Sequence, residues 1–550
     1  MSSEADKSAK CTLCPAGCRM ALVKAAPRGA ALRLGEPVRL EYPTQIGSGI
    51  CPRGSAIGEL LTHRRRILAA GSRAAAGNGS RRHIDLPKAA REIVRACGRG
   101  VTVVLDGNIP CEQLAEAAGW VRSWQGAKIC FAIEPADEQL LLGLEAGGTE
   151  YLAADKISEC DGYLIVGDVF SANPTLAKGV LDRYESESKT PIVVIDAAGG
   201  KASKFATHVV SVSPGAICEA VGAVAAAAGV DVAAPSAGEF SSAVGAGKAI
   251  AACKRLGVLI AAEYGRSASW RQIGFVAGRL AKARGGAAAP ETAGMNALAA
   301  VRLAPKLGAV DMAEALSGGG LVVVGCDLLG MLGLPKMDVV AAAAALPNRT
   351  TDAAAFVLPM AMPGEYGGTY LAPGRQPERV AGLVPAPAGV PNPCKVVASL
   401  ASAAGASKPD IGSAVAGPDA RDRLEVDAPA PAGACADCDP PVLLFARQAA
   451  EAGRGELTSH ATYQRAIQPL PEAKISPAMA ARLNLKNLSV ARIEAGGRSL
   501  QARLRVLPET PDGVVVLPES CPQARALNPL SVDGKTGAFS TGPVSCSISI

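Results

Sequence analysis

Two periodicities divide the apolar positions of this chain. Short apolar runs at 101–106, 127–132, 163–166, 192–196 and 208–212 have the length of buried strands, and segments at 112–124, 176–186 and 216–228 have helical spacing. Strand-length apolar runs that alternate with helical patterns predict parallel sheets covered by helices. A second series follows: strand 258–262, helices 269–283 and 296–305, then strands 321–324, 338–342 and 355–358. This order predicts two consecutive Rossmann-like units, 83–250 and 251–404. Ahead of them, residues 1–70 form a small unit ending in a helical stretch at 55–68, with a polar link at 71–82. Residues 405–440 turn to Ala, Pro, Gly and Asp with little periodicity and read as a linker. Beyond it, 441–550 holds short strands at 489–494, 501–506 and 513–517 and one helix at 476–483, a mostly β unit of small-barrel type. The predicted class is α/β with a C-terminal β-barrel.

Composition narrows the class further. Of 550 residues, 49% are hydrophobic, 19% charged and 3% aromatic, which excludes a disordered, collagenous or disulfide-dense protein. Lys plus Arg outnumber Asp plus Glu by 56 to 50, and the resulting charge of +6, without a long basic run, does not indicate nucleic acid. His63-Arg64-Arg65-Arg66 is the densest basic spot and reads as a solvated helix end. The first ten residues carry neither an apolar stretch nor a twin arginine. The Ala-rich run 216–235 is broken by Glu219 and Asp231, so it reads as a buried helix and loop instead of a membrane span. A cytoplasmic protein with no direct membrane span is the expectation.

Sixteen cysteines in such a chain should be mostly reduced, which directs attention to metal ligation. Cys11, Cys14, Cys18 and Cys51 have the spacing C-x2-C-x3-C-x32-C. Four thiolates can hold zinc or a [4Fe–4S] cluster. Zinc knuckles usually present two similar C-x2-C pairs. Here three sulfurs on one tight loop can cover a face of a cubane, and the distant Cys51 closes the fourth corner. Gly17 helps the loop turn; Pro52 and Gly54 flank the fourth ligand.

These motifs carry a resemblance. Cys11-Thr-Leu-Cys14-Pro-Ala-Gly-Cys18, followed by Gly49-Ile-Cys51-Pro-Arg-Gly54, resembles the N-terminal cluster domain of the molybdopterin oxidoreductase family. Over nearly its whole length the chain is most similar to the large iron–sulfur subunit of NADH–quinone oxidoreductase, complex I. The resemblance implies one [4Fe–4S] cluster, with Arg53 between cluster and pterin, and raises molybdopterin guanine dinucleotide with Mo or W as a cofactor. It also implies contacts to that nucleotide from Gly167-Asp168, Asn173-Pro174, Asp196 at the end of Val193-Val194-Ile195, and Gly215 of Ser213-Pro214-Gly215. Gly294-Met295-Asn296-Ala297, Gly325-Cys326-Asp327, Phe356-Val357-Leu358-Pro359 and Glu365 to Thr369 resemble the complex I branch. In the C-terminal unit, residues 477–485 and Asn528-Pro529-Leu530 resemble the pterin-dinucleotide-binding barrel.

Departures from the catalytic pattern shape the functional expectation. Ala197-Ala198 stand where catalytic members have Pro-Arg, and Ala216-Ile217 stand where they often have Thr-Asp. Cys130 is the nearest candidate for a Mo or W ligand, but no His occurs between His83 and His208, and a small buried hydrophobe is the favoured reading. Cys111 and Cys160 are read likewise. His208 reads as a core-edge residue, His460 as facing the pterin site or the surface, Glu365 as a turn residue, and Cys435-x2-Cys438 as an accessible thiol pair. The leading expectation is an electron-transfer subunit working with other redox subunits, iron–sulfur or flavin proteins. A bis-pterin enzyme acting on formate or a similar small substrate, and a zinc-stabilised scaffold, are the alternatives.

Overall fold

The computed structural model describes residues 8–24, 38–41, 51–73, 81–98, 100–212, 215–232, 241–263, 267–409, 442–446, 460–461, 470–532, 539–540 and 545–550. The predicted strands form, and their near-complete burial explains why they read as continuous apolar runs: Gly162–Val166 and Ile192–Asp196 are buried at every position. Two large sheets result. A seven-stranded sheet runs in the order Arg81–His83, Gly71–Arg73, Phe356–Pro359, Ala341–Ala344, Gly320–Val324, Val101–Asp106, Ala127–Ala132, and its last five strands are mutually parallel. An all-parallel six-stranded sheet has the order His208–Ser211, Ile192–Asp196, Gly162–Val166, Leu256–Ala261, Ala287–Glu291, Glu150–Tyr151.

The two sheets are nested, not consecutive, which corrects the expected division at 250/251. Leu256–Ala261 pairs with Gly162–Val166, and Gly320–Val324 returns to pair with Val101–Asp106. The whole six-stranded unit is inserted between two strands of the other sheet. Hydrophobic runs identify strands but say nothing about which strand each one pairs with, so chain order was a poor guide here.

Several elements depart from the periodicity. The helix expected at 55–68 is Pro52–Leu61, with proline in its first turn, where no backbone donor is required. The strand expected at 338–342 lies at Ala341–Ala344. Pro135–Gly147, unexpected from the sequence, crosses Ser267–Ala283 at backbone contact: a Cβ on Gly143 would lie 2.1 Å from the Arg271 carbonyl oxygen.

Side chains of the seven-stranded sheet alternate between two cores. Val103, Leu105, Ile129 and Phe131 face the helices Leu86–Cys97, Cys111–Arg122 and Pro393–Ala403. Val104, Cys130, Ala132 and Val323 share a core with Ala473, Ile475 and Val515 of the C-terminal unit. That unit is a mixed sheet with the described order Val442–Ala446, Val514–Pro518, Glu472–Ile475, Arg498–Val506, Val490–Ala495, Ser547–Ser549. Near the N-terminus, Ser8–Lys10, Arg19–Lys24 and Val38–Glu41 form an antiparallel sheet whose first turn carries three of the motif cysteines. Among the described residues no helix is long and apolar enough to cross a membrane.

Candidate functional site: a buried cysteine loop beside a strand-end cavity

The turn after Ser8–Lys10 is closed by the Cys11 N–H donating to the Cys18 carbonyl (2.8 Å), and Gly17 takes the left-handed conformation the turn needs (φ 55°). Cys51 stands at the start of the helix Pro52–Leu61. All four cysteines are free thiols and buried. They lie near enough to act on one another. Burial first, then Cys14 and Cys18, hold the Cys11 thiol well above its usual value. Burial pushes Cys14 up to about 12 against the pull of Arg53, and Cys18 is raised by burial against a hydrogen bond with Thr175. Cys11, Cys14 and Cys18 thus resist ionisation as free thiols, and binding to a positive centre would favour their thiolate form. Among the described residues, no group of three or more His, Cys, Asp or Glu side chains is arranged to hold a metal ion.

Arg53 is buried between this loop and the inserted sheet. Its Nη2 donates to the Ala172 carbonyl (2.8 Å) and to Glu291 (3.2 Å). Burial opposes its charge, but Glu291, Cys14 and Cys51 more than compensate, so its pKa rises and it stays a fixed cation. Asn173 caps the helix Pro174–Ser186, its Oδ1 accepting from Thr175 N and Leu176 N, while its Nδ2 faces Cys14 Sγ at 3.6 Å.

A cavity of about 170 Å3 opens beside the loop, lined by Thr12, Leu13 and Arg53 on one side. Its floor is made of the C-terminal ends of the parallel strands, at Asp106, Ala132, Gly325, Ala344 and Met360, the place where open α/β sheets bind ligands. Asp106 is held at about 6 by burial, against two hydrogen bonds from Asn108. The far wall is Arg525 of the C-terminal unit. Its guanidinium reaches Glu134 (3.2 Å), Glu519 (3.1 Å) and the Met331 carbonyl (2.7 Å). Asp106, Asn108, Glu134, Tyr366 and Arg525 were not singled out from the sequence, although strand-end position was a usable signal for the first three.

Asp168 and Asp196 lie elsewhere, at the strand ends of the inserted sheet. Asp196 accepts from the backbone N–H groups of Ala198 (2.8 Å) and Gly200, within its own loop. Burial and then the neighbouring Asp168 raise its pKa. Asp168 accepts from Ser171 N (3.3 Å), and Lys474 of the C-terminal unit lies 3.9 Å from it. The loop after Asp196 packs directly on 509–510: a Cβ on Gly199 would lie 1.9 Å from the Glu509 carbonyl oxygen. At this point the loop after Asp196 and the C-terminal unit are in backbone contact.

The remaining candidates are dispersed. Gly167 (φ 77°) supports the Asp168 loop, and Gly215 is half-buried next to Ser213-Pro214, which lie outside the described residues. Cys130 is buried in the core shared with the C-terminal unit, and it is Ala132 and Glu134 that line the cavity. Asn528 is buried, its N–H bonded to the Arg525 carbonyl. Glu365 grips Arg66 through two bonds (2.6 and 2.7 Å). His460 contacts the Pro347 carbonyl (2.8 Å) and packs on His63, while Cys435 and Cys438 lie outside the described residues.

No family model and no curated protein matches this chain. Among solved structures, acetylene hydratase from Pelobacter acetylenicus is similar with a TM-score of 0.69 and 13% sequence identity, over 98% of this chain and 100% of that one. At that identity the likeness is one of fold, and it extends over the full course of both chains.

Proposed function

We propose that this protein is an iron–sulfur electron-transfer subunit built on the scaffold of the molybdopterin oxidoreductases, working in the cytoplasm with iron–sulfur or flavin partner subunits. The observation that carries the reading is the set of four mutually coupled, buried cysteines, Cys11, Cys14, Cys18 and Cys51, with the fixed cation Arg53 against them. Three cysteines within eight residues and a distant fourth, instead of two similar C-x2-C pairs, favour a [4Fe–4S] cluster over zinc. Such a cluster supplies one-electron transfer. The chain's own residues hold it in a loop shielded from water, and Arg53 offsets the charge that reduction adds. The fold shared with acetylene hydratase supports the family scaffold.

A second reading, a Mo or W pterin enzyme acting on a small substrate, draws on one observation: the strand-end cavity adjoins Arg53. Ala197-Ala198 and Ala216-Ile217, where catalytic members of the family have Pro-Arg and often Thr-Asp, oppose it. Anaerobic purification with EPR and metal analysis separates the readings. The relay predicts about four iron and four sulfide per chain. Stoichiometric zinc without iron overturns it, and stoichiometric Mo or W with pterin establishes the second reading.

A further inference from the structure

Two of the motif sulfurs face a side-chain donor. Asn173 Nδ2 faces Cys14 Sγ at 3.6 Å, and Thr175 Oγ1 lies 3.7 Å from Cys18 Sγ. Both donors belong to one helix start, on the inserted sheet. A sulfur bound to iron carries no proton, so the Thr175 hydroxyl must be the donor in that pair. The orientation of Asn173 is fixed too: its Oδ1 already accepts Thr175 N (3.1 Å) and Leu176 N (3.3 Å), which turns the amide nitrogen toward Cys14.

We propose that Asn173 and Thr175 set the reduction potential of the cluster by donating hydrogen bonds to the sulfurs of Cys14 and Cys18. The inference rests on the cluster reading above. Reduction adds one electron to the cluster and breaks no bond. The extra negative charge spreads onto the cysteine sulfurs, so a donor aimed at them favours the reduced state more than the oxidised one and raises the potential. Both residues act through the sulfurs and need not touch the iron.

The test is an EPR-monitored redox titration of the full-length, anaerobically prepared protein. Thr175→Val keeps the shape and loses the donor; Thr175→Ser restores it. Asn173→Asp keeps the helix cap and replaces the donor by an acceptor. Thr175→Val is expected to weaken the reduced state by up to about ten-fold, a midpoint about 59 mV lower for a one-electron couple. Asn173→Asp should lower the midpoint further, and Thr175→Ser should return it to the wild-type value. If a variant loses its cluster, ENDOR on the wild-type protein in D2O gives a second readout, because the Asn173 amide and the Thr175 hydroxyl both predict exchangeable deuterons coupled to the cluster, and their absence overturns the proposal. Wild-type protein without iron overturns the cluster reading and this inference together. Full iron with unchanged midpoints in Thr175→Val and Asn173→Asp overturns this inference alone.

Discussion

Replacing Arg525 by Met should release the C-terminal unit from the cavity wall. Arg525, Glu134 and Glu519 are 4%, 8% and 1% exposed, so the ion pairs among them are shielded from water. The guanidinium donates through Nε to the Glu519 carbonyl (2.6 Å), through Nη1 to Met331 O and Glu134, and through Nη2 to Glu134 and Glu519. Methionine fills much of the volume but removes the cation that both buried carboxylates share. Removing one partner of a buried pair costs about 3–5 kcal/mol, mostly because the remaining charge is stranded. At 1.4 kcal/mol per decade, amide exchange in the strand Val514–Pro518 should speed up by roughly 100-fold or more if it follows local opening. Arg525→Lys should fall between, since one ammonium cannot span both carboxylates and the Met331 carbonyl. Adding Glu134→Gln to Arg525→Met should recover part of the loss by removing one stranded charge. Exchange in that strand within about three-fold of wild type, where a lost buried pair predicts decades, would refute the reasoning.

Changing any of Cys11, Cys14, Cys18 or Cys51 to Ala should lower the bound iron and the visible sulfur-to-iron absorption, measured on anaerobically reconstituted protein. Gly143→Val should abolish soluble expression or lower the melting temperature sharply, because its side chain would start 2.1 Å from the Arg271 carbonyl oxygen and overpacking there costs about 3 kcal/mol or more. Asp106 should protonate near pH 6 in an infrared titration with Asp106→Asn as the blank, where an ordinary aspartate protonates near pH 4. Since the folded value is the higher one, the stability this group contributes is present below about pH 4 and is lost as pH rises through about 6, and a titration at the ordinary value would contradict the burial argument.

Much of the fold was legible because buried parallel strands announce themselves. Val-Val-Ile-Asp at 193–196 and Tyr-Leu-Ile-Val at 163–166 can be little else. Pairing was not legible: nothing local tells Gly320–Val324 that its partner is Val101–Asp106, more than two hundred residues earlier. The helix Pro135–Gly147 was missed because nine of its 13 residues are buried, including Asp137 and Glu145, which leaves little amphipathic signal. The cysteine loop was readable from spacing alone, since three cysteines lie within eight residues. The cavity was not, because Asp106, Glu134 and Arg525 come from three separate strand ends and loops and meet only through the nested topology.

That topology also bears on which cofactor the chain can serve. The segment from Gly167 to Asn173 faces two ways. At one end Asp168 stands beside Asp196, with Lys474 as their nearest cation; at the other, Asn173 touches Cys14. A phosphate-bearing ligand entering at the Asp168–Asp196 end would meet two buried carboxylates, and at a few ångströms like charges repel by about 1 kcal/mol in water and several times more where water is excluded. The Asn173 end sets the opposite condition, since a donor and the nearby Arg53 cation both favour added negative charge. The same strand–loop–helix therefore gathers buried carboxylates at one end and, on the proposed cluster reading, offers a donor to a cysteine sulfur at the other.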